Sequence, residues 1–456
     1  MMSIFIREFL LRLLKLFNVV LITMPFAWGW FHYYAQHMAL PFYDRGNWVV
    51  VALYAVLYMI FGRVYGGFWI SLNRISESVY SQALAVMMTS GIMYVVTVLL
   101  ERQLPSIWPV LAAFAVQLVL SGLWSMAAHV AYYILFPATK TIIVYDERQG
   151  MEKLIQDYGF EKKFTVIKTL TVEQCIGNID LLHNAQTVFV SGVHSHERNI
   201  ILKYCVEHGI MMYLVPRIGD VLMSGAQQMH MFHLPMLRVG RYNPSPWHTI
   251  AKRTFDVVSA GALFLVISPL MLITAIAIKT DGGPVFYKQR RLTQDGKEFD
   301  VLKFRSMSVD AEKDGVARLS TGDNDDRITR VGRFIRKVRI DELPQLLNII
   351  GGSMSVVGPR PERPEIASQY VKEMPEFSLR LQAKAGLTGY AQVYGKYNTT
   401  PYDKLQMDLM YISNPSFWED LRIIFATIKI LFVPESTEGV AEGQKTAMGK
   451  KNVMMK

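Results

Sequence analysis

Lys252–Lys279, KRTFDVVSAGALFLVISPLMLITAIAIK, is the stretch whose reading decides how this chain is built. Between the basic pair Lys252-Arg253 and Lys279 lie 22 uncharged residues, Val257 to Ile278. A straight helix of that length would cross a bilayer and carry everything after it to the far side. Ser268 and Pro269 fall in its middle. The proline removes one backbone hydrogen bond and crowds the preceding turn, while the serine hydroxyl can satisfy a freed backbone group. Basic residues at both ends suit a segment whose ends return to one anionic surface. The expected element over 252–279 is therefore a re-entrant helix with its break at Ser268-Pro269, dipping into one leaflet and returning; a kinked full span is the alternative.

Upstream, four more apolar stretches can each span a bilayer: about Leu13 to Trp30, Trp48 to Phe68, Leu84 to Leu100 and Ile107 to Phe136. Arg7, Arg12 and Lys15 precede the first, Arg63 and Arg74 separate the second from the third, and Lys140 follows the fourth, so both termini are expected on the cytoplasmic side. No cleavable signal peptide is expected, because charges interrupt the first apolar run. A 456-residue chain that is 51% hydrophobic exceeds one soluble domain in both length and apolarity. The net charge of +10 suits work beside anionic lipid or on phosphorylated substrates. Two cysteines, Cys175 and Cys205, without metal spacing fit a reducing compartment and argue against a disulfide framework or a zinc site.

From Lys140 the chain turns soluble. KTIIVYD, KKFTVIKTL, AQTVFVSG and MMYLVPR read as strands alternating with helices at MEKLIQDYG and ERNIILKYCVEHG, which predicts a small Rossmann-like α/β domain with a parallel sheet. Its first turn, YDERQGMEK, lacks G-x-G-x-x-G and puts acidic residues where a pyrophosphate needs bare backbone, so regulation or oligomerisation is expected of it rather than nucleotide binding. His194, His196, His230 and His233 have no partners at metal-ligand spacing and read as surface residues. RYNPSPWH, with two prolines, reads as a linker. The domains drawn this way are four transmembrane helices at 1–138, the α/β domain at 139–242, a linker at 243–251, a catalytic domain at 252–433 and a disordered basic tail at 434–456.

Downstream, Arg333–Glu362, RFIRKVRIDELPQLLNIIGGSMSVVGPRPE, sets two adjacent carboxylates, Asp341 and Glu342, between arginine clusters and glycine–proline turns. LPQLLNII reads as a short helix, with Pro344 tolerable only in its first turn. The carboxylates then sit at a helix N-terminus, an end that also suits phosphate. As bland alternatives, the pair caps a helix and the arginines form a membrane-facing stripe. Gly351, Gly352, Gly358, Gly386 and Gly389 read as turn glycines, and LRIIFATIKILF reads as a helix lying on the interface.

These segments, together with GGPVFYKQRRLTQDGKEFDVLKFRSM, AGLTGYAQVYG and DLMYISNPSFWEDLRIIFATIKIL, closely resemble the bacterial sugar transferase family over about Lys252 to Phe432. The resemblance implies an α-rich monotopic catalytic domain, and the four spans plus α/β domain look like the family's long form, which begins exopolysaccharide, capsule or O-antigen assembly at the cytoplasmic face of the bacterial inner membrane. The implied reaction converts a UDP-sugar and polyprenyl phosphate into polyprenyl-diphosphate-sugar and UMP through a phospho-aspartate. Asp341 would be the nucleophile and Glu342 would hold Mg²⁺ with the substrate phosphates. Lys303, Arg336 and Arg360 would bind phosphate oxygens, and Asp408 would orient the site or its metal. The expected partners are the UDP-sugar, the lipid, the inner membrane and a second copy of the chain, with no nucleic acid. Two rivals remain, a non-covalent glycosyltransferase that releases UDP and a non-catalytic membrane sensor. No residue names the sugar.

Overall fold

The protein's structure, a computed structural model, describes residues 4–38, 41–42, 44–308, 327–395 and 399–431. It divides into two compact units, one ending at Val215 and one beginning at Pro216. The first unit opens with four helices: α1 (Ile4–Gly29), α2 (Asp44–Val64), α3 (Ile75–Glu101) and α4 (Trp108–Leu135). One π-helical turn, Trp30–Tyr34, prolongs α1 towards His37. All four are long and apolar enough to cross a membrane. Several of their buried polar side chains pair across helices, as an apolar surrounding favours. Tyr58 donates to Asn18 Oδ1 (2.8 Å), Asn18 Nδ2 to Gln82 Oε1 (3.3 Å), and Gln117 Nε2 to the Tyr54 hydroxyl (2.9 Å) and the Ile22 carbonyl (2.7 Å). This helical region is that of a membrane protein.

An α/β layer follows within the same unit: β1 (Thr139–Tyr145), α5 (Met151–Asp157), β2 (Phe164–Thr171), α6 (Val172–Gly177), β3 (Thr187–Ser191), α7 (Ser195–Glu207) and β4 (Met211–Leu214). All pairings are parallel and the spatial order is β2-β1-β3-β4, the doubly wound arrangement. Ile142, Val144, Val188 and Val190 are fully buried, as strands covered on both faces require, and Cys175 and Cys205 join that core as reduced, apolar side chains.

The sheet ends at β4, the last of the four strands read from the sequence, well before residue 242. The α/β layer stops at β4, and the next helix, α8 (Ile218–Ser224), buries Val221 among Leu405, Leu409 and Ile423 of the second unit. Four strands and their helices already close the α/β core, so the apolar face of α8 finds its partners elsewhere. Between 225 and 240 lies an unanticipated antiparallel hairpin, β5 (Gln227–Met231) and β6 (Leu234–Arg238). The second half of the expected 243–251 linker is helical as well. Ser245 caps α9 (Pro246–Thr280), its hydroxyl accepting from the His248 N–H at 3.3 Å, and Pro246 takes the first helical position, where its missing donor costs nothing.

Helix α9 also runs through Ser268 and Pro269 without leaving the helical state, so the helix–break–helix expected there is one continuous helix. The reason is local: Pro269 cannot donate to the Leu265 carbonyl four residues earlier, and the Ser268 hydroxyl donates to that same oxygen at 2.8 Å. Asp256, Ala260, Met271, Thr274 and Ile278 are buried along one stripe of α9 at steps of three and four, with Phe264 and Ile267 partly buried on it. The opposite face, including Leu265 and Val266, is exposed and apolar.

On the buried stripe sits the rest of the unit. The hairpin of β7 (Phe286–Leu292) and β8 (Glu298–Phe304) contributes Val301 to the Ala260 cluster and Phe304 to the Met271–Ile278 cluster. Then come α10 (Arg330–Lys337), α11 (Gln345–Gly351), β9 (Ser355–Val357), α12 (Pro364–Glu373), β10 (Gly386–Thr388), α13 (Tyr390–Tyr394), α14 (Pro401–Ser413) and α15 (Phe417–Leu431). Helix α15 buries Ile423 and Ala426 and is tied to α9 by a Lys252–Asp420 ion pair of 2.7 Å. The basic tail expected at 434–456 lies outside the described residues.

Candidate active site

Helix α10 starts at Thr329, whose hydroxyl accepts from the Gly332 N–H at 2.9 Å, and stops at Lys337. Arg339 then adopts a left-handed conformation, φ +56°, and a single 3₁₀ turn spans Ile340–Glu342. This reversal packs Ile340 and Leu343 against the Met271, Ile278 and Phe304 cluster. Asp341 and Glu342 are left half-buried between these anchors. Pro344 occupies the N-cap of α11, so the carboxylates precede that helix in their own turn and do not cap it.

Lys303 reaches Glu342 from β8. Its Nζ lies 2.8 Å from Glu342 Oε1, and Arg360 Nη2 lies 3.3 Å from the same oxygen. Asn348 on α11 fixes this meeting, accepting from the Leu302 N–H at 2.9 Å and donating to the Asp300 carbonyl at 2.8 Å. Arg253 of α9 donates to the Ile349 and Ile350 carbonyls (2.7 and 2.8 Å), and Asp256 accepts from the Val356 N–H at 3.0 Å. Helix α9 thereby grips the chain on both sides of the Gly351-Gly352 turn that follows the carboxylates. Arg360 follows the Gly358-Pro359 turn, where β9 and β10 approach so closely that a Cβ on Gly386 would strike the Gly358 backbone.

The two carboxylates titrate in opposite directions. Burial and the neighbouring Glu342 charge push Asp341 up to about 6, against the pull of Lys303, Arg336 and Arg360. Burial would raise Glu342 as well, but Lys303 and Arg360 overrule it and hold its carboxyl well below the usual range. Arg336 is near enough for its charge to act on Asp341.

Asp408 lies behind this cluster, 1% exposed, and receives two bonds from Arg380, Nε at 2.8 Å and Nη2 at 2.6 Å. Arg380 also donates to the Arg360 carbonyl (2.9 Å) and sits 3.8 Å from Glu362, which faces Arg291 at 3.9 Å. Asp408 thus bears on the site through Arg380 and the Arg360 backbone. Arg380, Glu362 and Arg291 are missing from the sequence reading. The partners of Arg380 lie up to 28 residues away, and no local pattern announces them, although a charge inside Phe377-Ser378-Leu379-Arg380-Leu381 is itself a signal. Ser268 and Pro269 stay away from this cluster, inside α9.

The donor set bears on the implied magnesium. Among the described residues no group of three or more metal-ligating side chains forms. Glu342 Oε1 is committed to two cationic side chains, which leaves its second oxygen and the Asp341 carboxylate. One or two carboxylates completed by substrate phosphates and water is how Mg²⁺ is usually held, so these residues fit the ion once a diphosphate is present.

Residues 247–434 match the family model for bacterial sugar transferases. The chain is 37% identical over 234 residues to a UDP-N-acetylgalactosamine-undecaprenyl-phosphate N-acetylgalactosaminephosphotransferase from Aeromonas hydrophila, covering 50% of this chain and 54% of that protein. It is 36% identical over 291 residues to a UDP-glucose:undecaprenyl-phosphate glucose-1-phosphate transferase from Xanthomonas campestris pv. campestris (60% and 57%). A protein of that same name from Caulobacter vibrioides is 40% identical over 206 residues (44% and 76%). The matched stretch spans little more than half of the first two relatives, but three quarters of the Caulobacter protein. With the carboxylate pair, its two cations and their supporting helix all inside the matched residues, the chain belongs to the bacterial sugar transferase family.

Proposed function

We propose that this protein transfers a sugar-1-phosphate from a UDP-sugar to undecaprenyl phosphate, releasing UMP, as the first membrane step of an exopolysaccharide, capsule or O-antigen pathway. The observation that carries the reading is the divided pair: a carboxylate with a raised pKa, Asp341, beside one held ionised by Lys303 and Arg360. The names of the relatives supply the substrate class.

In the first step a carboxylate oxygen of Asp341 attacks the sugar-bearing phosphorus of the donor. A phosphorus–oxygen bond to Asp341 forms, the bond to the bridging oxygen breaks, and UMP departs with that oxygen. In the second step a phosphate oxygen of the lipid attacks the same phosphorus and frees the aspartate. A carboxylate approaching a diphosphate meets like charge, so Lys303, Arg336 and Arg360 serve to neutralise phosphate oxygens. Mg²⁺, held by Glu342 and Asp341 with the phosphates, would add Lewis-acid charge stabilisation. Burial of the pair strengthens each of these attractions and keeps water from the acyl phosphate.

The lipid must present its phosphate at headgroup level, and α9 fits that demand. Catalytic elements cover its inner stripe from Arg253 to Ile278 while its outer face stays apolar, which supports a helix seated in one leaflet, with the active site on the cytoplasmic face.

The test is purified protein with undecaprenyl phosphate and a panel of UDP-sugars. UMP release from one of them, abolished by Asp341→Asn and by EDTA and restored by Mg²⁺, is the expected result. Incubation with radiolabelled donor alone should leave label on the protein at Asp341. Release of UDP, or turnover with no labelled protein under rapid quench, would favour the non-covalent route instead.

A further inference from the structure

The hairpin that supplies Lys303 carries a second row of side chains beside it. In the β7–β8 register Tyr287 stands directly opposite Lys303. Residues two apart on a strand share a face, so Gln289 and Arg291 continue the row that Tyr287 begins. Opposed residues stand roughly 5 Å apart at their β-carbons, which puts the Tyr287 ring within reach of whatever Lys303 binds. The far end of the row meets the Arg360 corner. Arg291 Nη1 donates to the Pro361 carbonyl at 3.2 Å, while its Nε (3.2 Å) and Nη2 (2.6 Å) both donate to Gln289 Oε1. Tyr287 is 41% exposed, a flat ring left open beside a cation that serves phosphate. We propose that Tyr287 and Gln289 hold the uracil of the donor, the base stacked on the Tyr287 ring and one of its carbonyl oxygens accepting from Gln289 Nε2.

This assignment deepens the transfer reading and rests on it. In phosphoryl transfer the attacking and leaving oxygens lie roughly in line, so UMP departs on the side of the phosphorus opposite Asp341. Lys303 reaches the Asp341–Glu342 turn from β8, and β7 is the other strand of a two-stranded sheet. Tyr287 therefore stands one strand further from the nucleophile, where the leaving nucleotide needs a support. A base offers its π face to an aromatic ring without any special pairing. Gln289 adds the selection: its amide oxygen is engaged by Arg291, so its N–H₂ end points away from that guanidinium and suits a carbonyl oxygen, which uracil has where cytosine has an amino group.

The test is calorimetric titration of the full-length protein in detergent with UMP and with ribose 5-phosphate, which differ by the base. The wild type should bind UMP about tenfold more tightly. Tyr287→Ala should close that gap and leave the affinity for ribose 5-phosphate unchanged, while Tyr287→Phe, which keeps the ring, should preserve the gap. Tyr287→Ile suits a strand but has no flat face, and it serves if the alanine variant fails to fold. Equal binding of the two probes by the wild type, or a gap that survives loss of the ring, would overturn the proposal. So would a raised KM for the UDP-sugar in Tyr287→Ala with UMP binding unchanged, which would assign the ring to the sugar. If UMP is released as proposed while position 287 makes no difference to UMP binding, the transfer reading stands and this one falls; if UMP is neither released nor bound, both fall.

Discussion

Asp341 and Glu342 share a turn of three residues, yet only Glu342 Oε1 accepts both Lys303 and Arg360, and the division of labour follows from that asymmetry. A nucleophile with a pKa near 6 is largely ionised at neutral pH, and its carboxylate is more basic than an ordinary aspartate. Below pH 6 it takes up a proton and loses its attack. The rate kcat/KM should therefore fall on the acidic side with an apparent pKa near 6, a value belonging to the pair. Glu342→Gln removes the like charge and frees two cations to favour ionised Asp341, so the acidic limb of its residual activity should move to lower pH. A limb that stays put would mean that burial alone sets the value. Asp408 poses a different question, because it is sealed against Arg380. Asp408→Ala leaves a buried guanidinium short of its main partner and should cost about 3–5 kcal/mol, read as a lowered midpoint of thermal unfolding in detergent. The pair replacement Arg380→Met with Asp408→Leu should recover much of that stability while activity stays low, since the Arg360 carbonyl has lost its donor.

At the scale of elements, the site is a meeting of short pieces: a hairpin end, a 3₁₀ turn and a glycine–proline corner. The β9–β10 contact at that corner is a tight one. Gly386→Ala would drive a methyl into the Gly358 backbone and push the Pro359–Arg360 corner outward. We expect a loss of about 1–3 kcal/mol in stability and a larger proportional loss in turnover than in donor binding, measured as a split between kcat and KM. An unchanged kcat would show that the corner can shift without moving Arg360. The residues at this site were largely legible in the sequence, because charge clusters and turn residues lie close together around Asp341. What joins them was not. Asn348 reaching β8, Arg253 closing the end of α11 and Arg380 behind Arg360 are side-chain bonds over 20 to 97 positions, and no periodicity encodes them. Boundaries failed for a related reason. The apolar face of α8 and the prolines before α9 look the same whether their neighbours are local or distant, and only packing decides.

At the scale of the molecule, the bearing of α9 decides whether the chemistry has access to its donor. If the donor is a cytosolic UDP-sugar, as we propose, Asp341 has to face the cytoplasm. A straight run from Arg253 to Ile278 would measure roughly 38 Å at 1.5 Å per residue, more than the ~30 Å hydrocarbon core. Yet Arg253 holds α11, Ala260 packs on Val301, and Ile278 packs on Phe304 and Ile335, all within one polar, charged fold. A helix that crossed the bilayer would drag that fold, with Lys303, Arg305 and the carboxylate pair, into the hydrocarbon, where unpaired charges are costly. Both ends of α9 should therefore lie on the cytoplasmic side. Single cysteines placed at Trp247 and at Asp281 should each react with an impermeant reagent only when it reaches the cytoplasmic face. Replacing Ser268 with Leu and Pro269 with Ala restores the backbone bond to Leu265 and removes the ring, which should straighten the helix, move part of the population into a spanning form and lower activity in proportion. Reaction of position 281 from outside in the otherwise unmodified protein would put Asp341 on the side that holds no UDP-sugar, and the proposed transfer would then have no donor within reach.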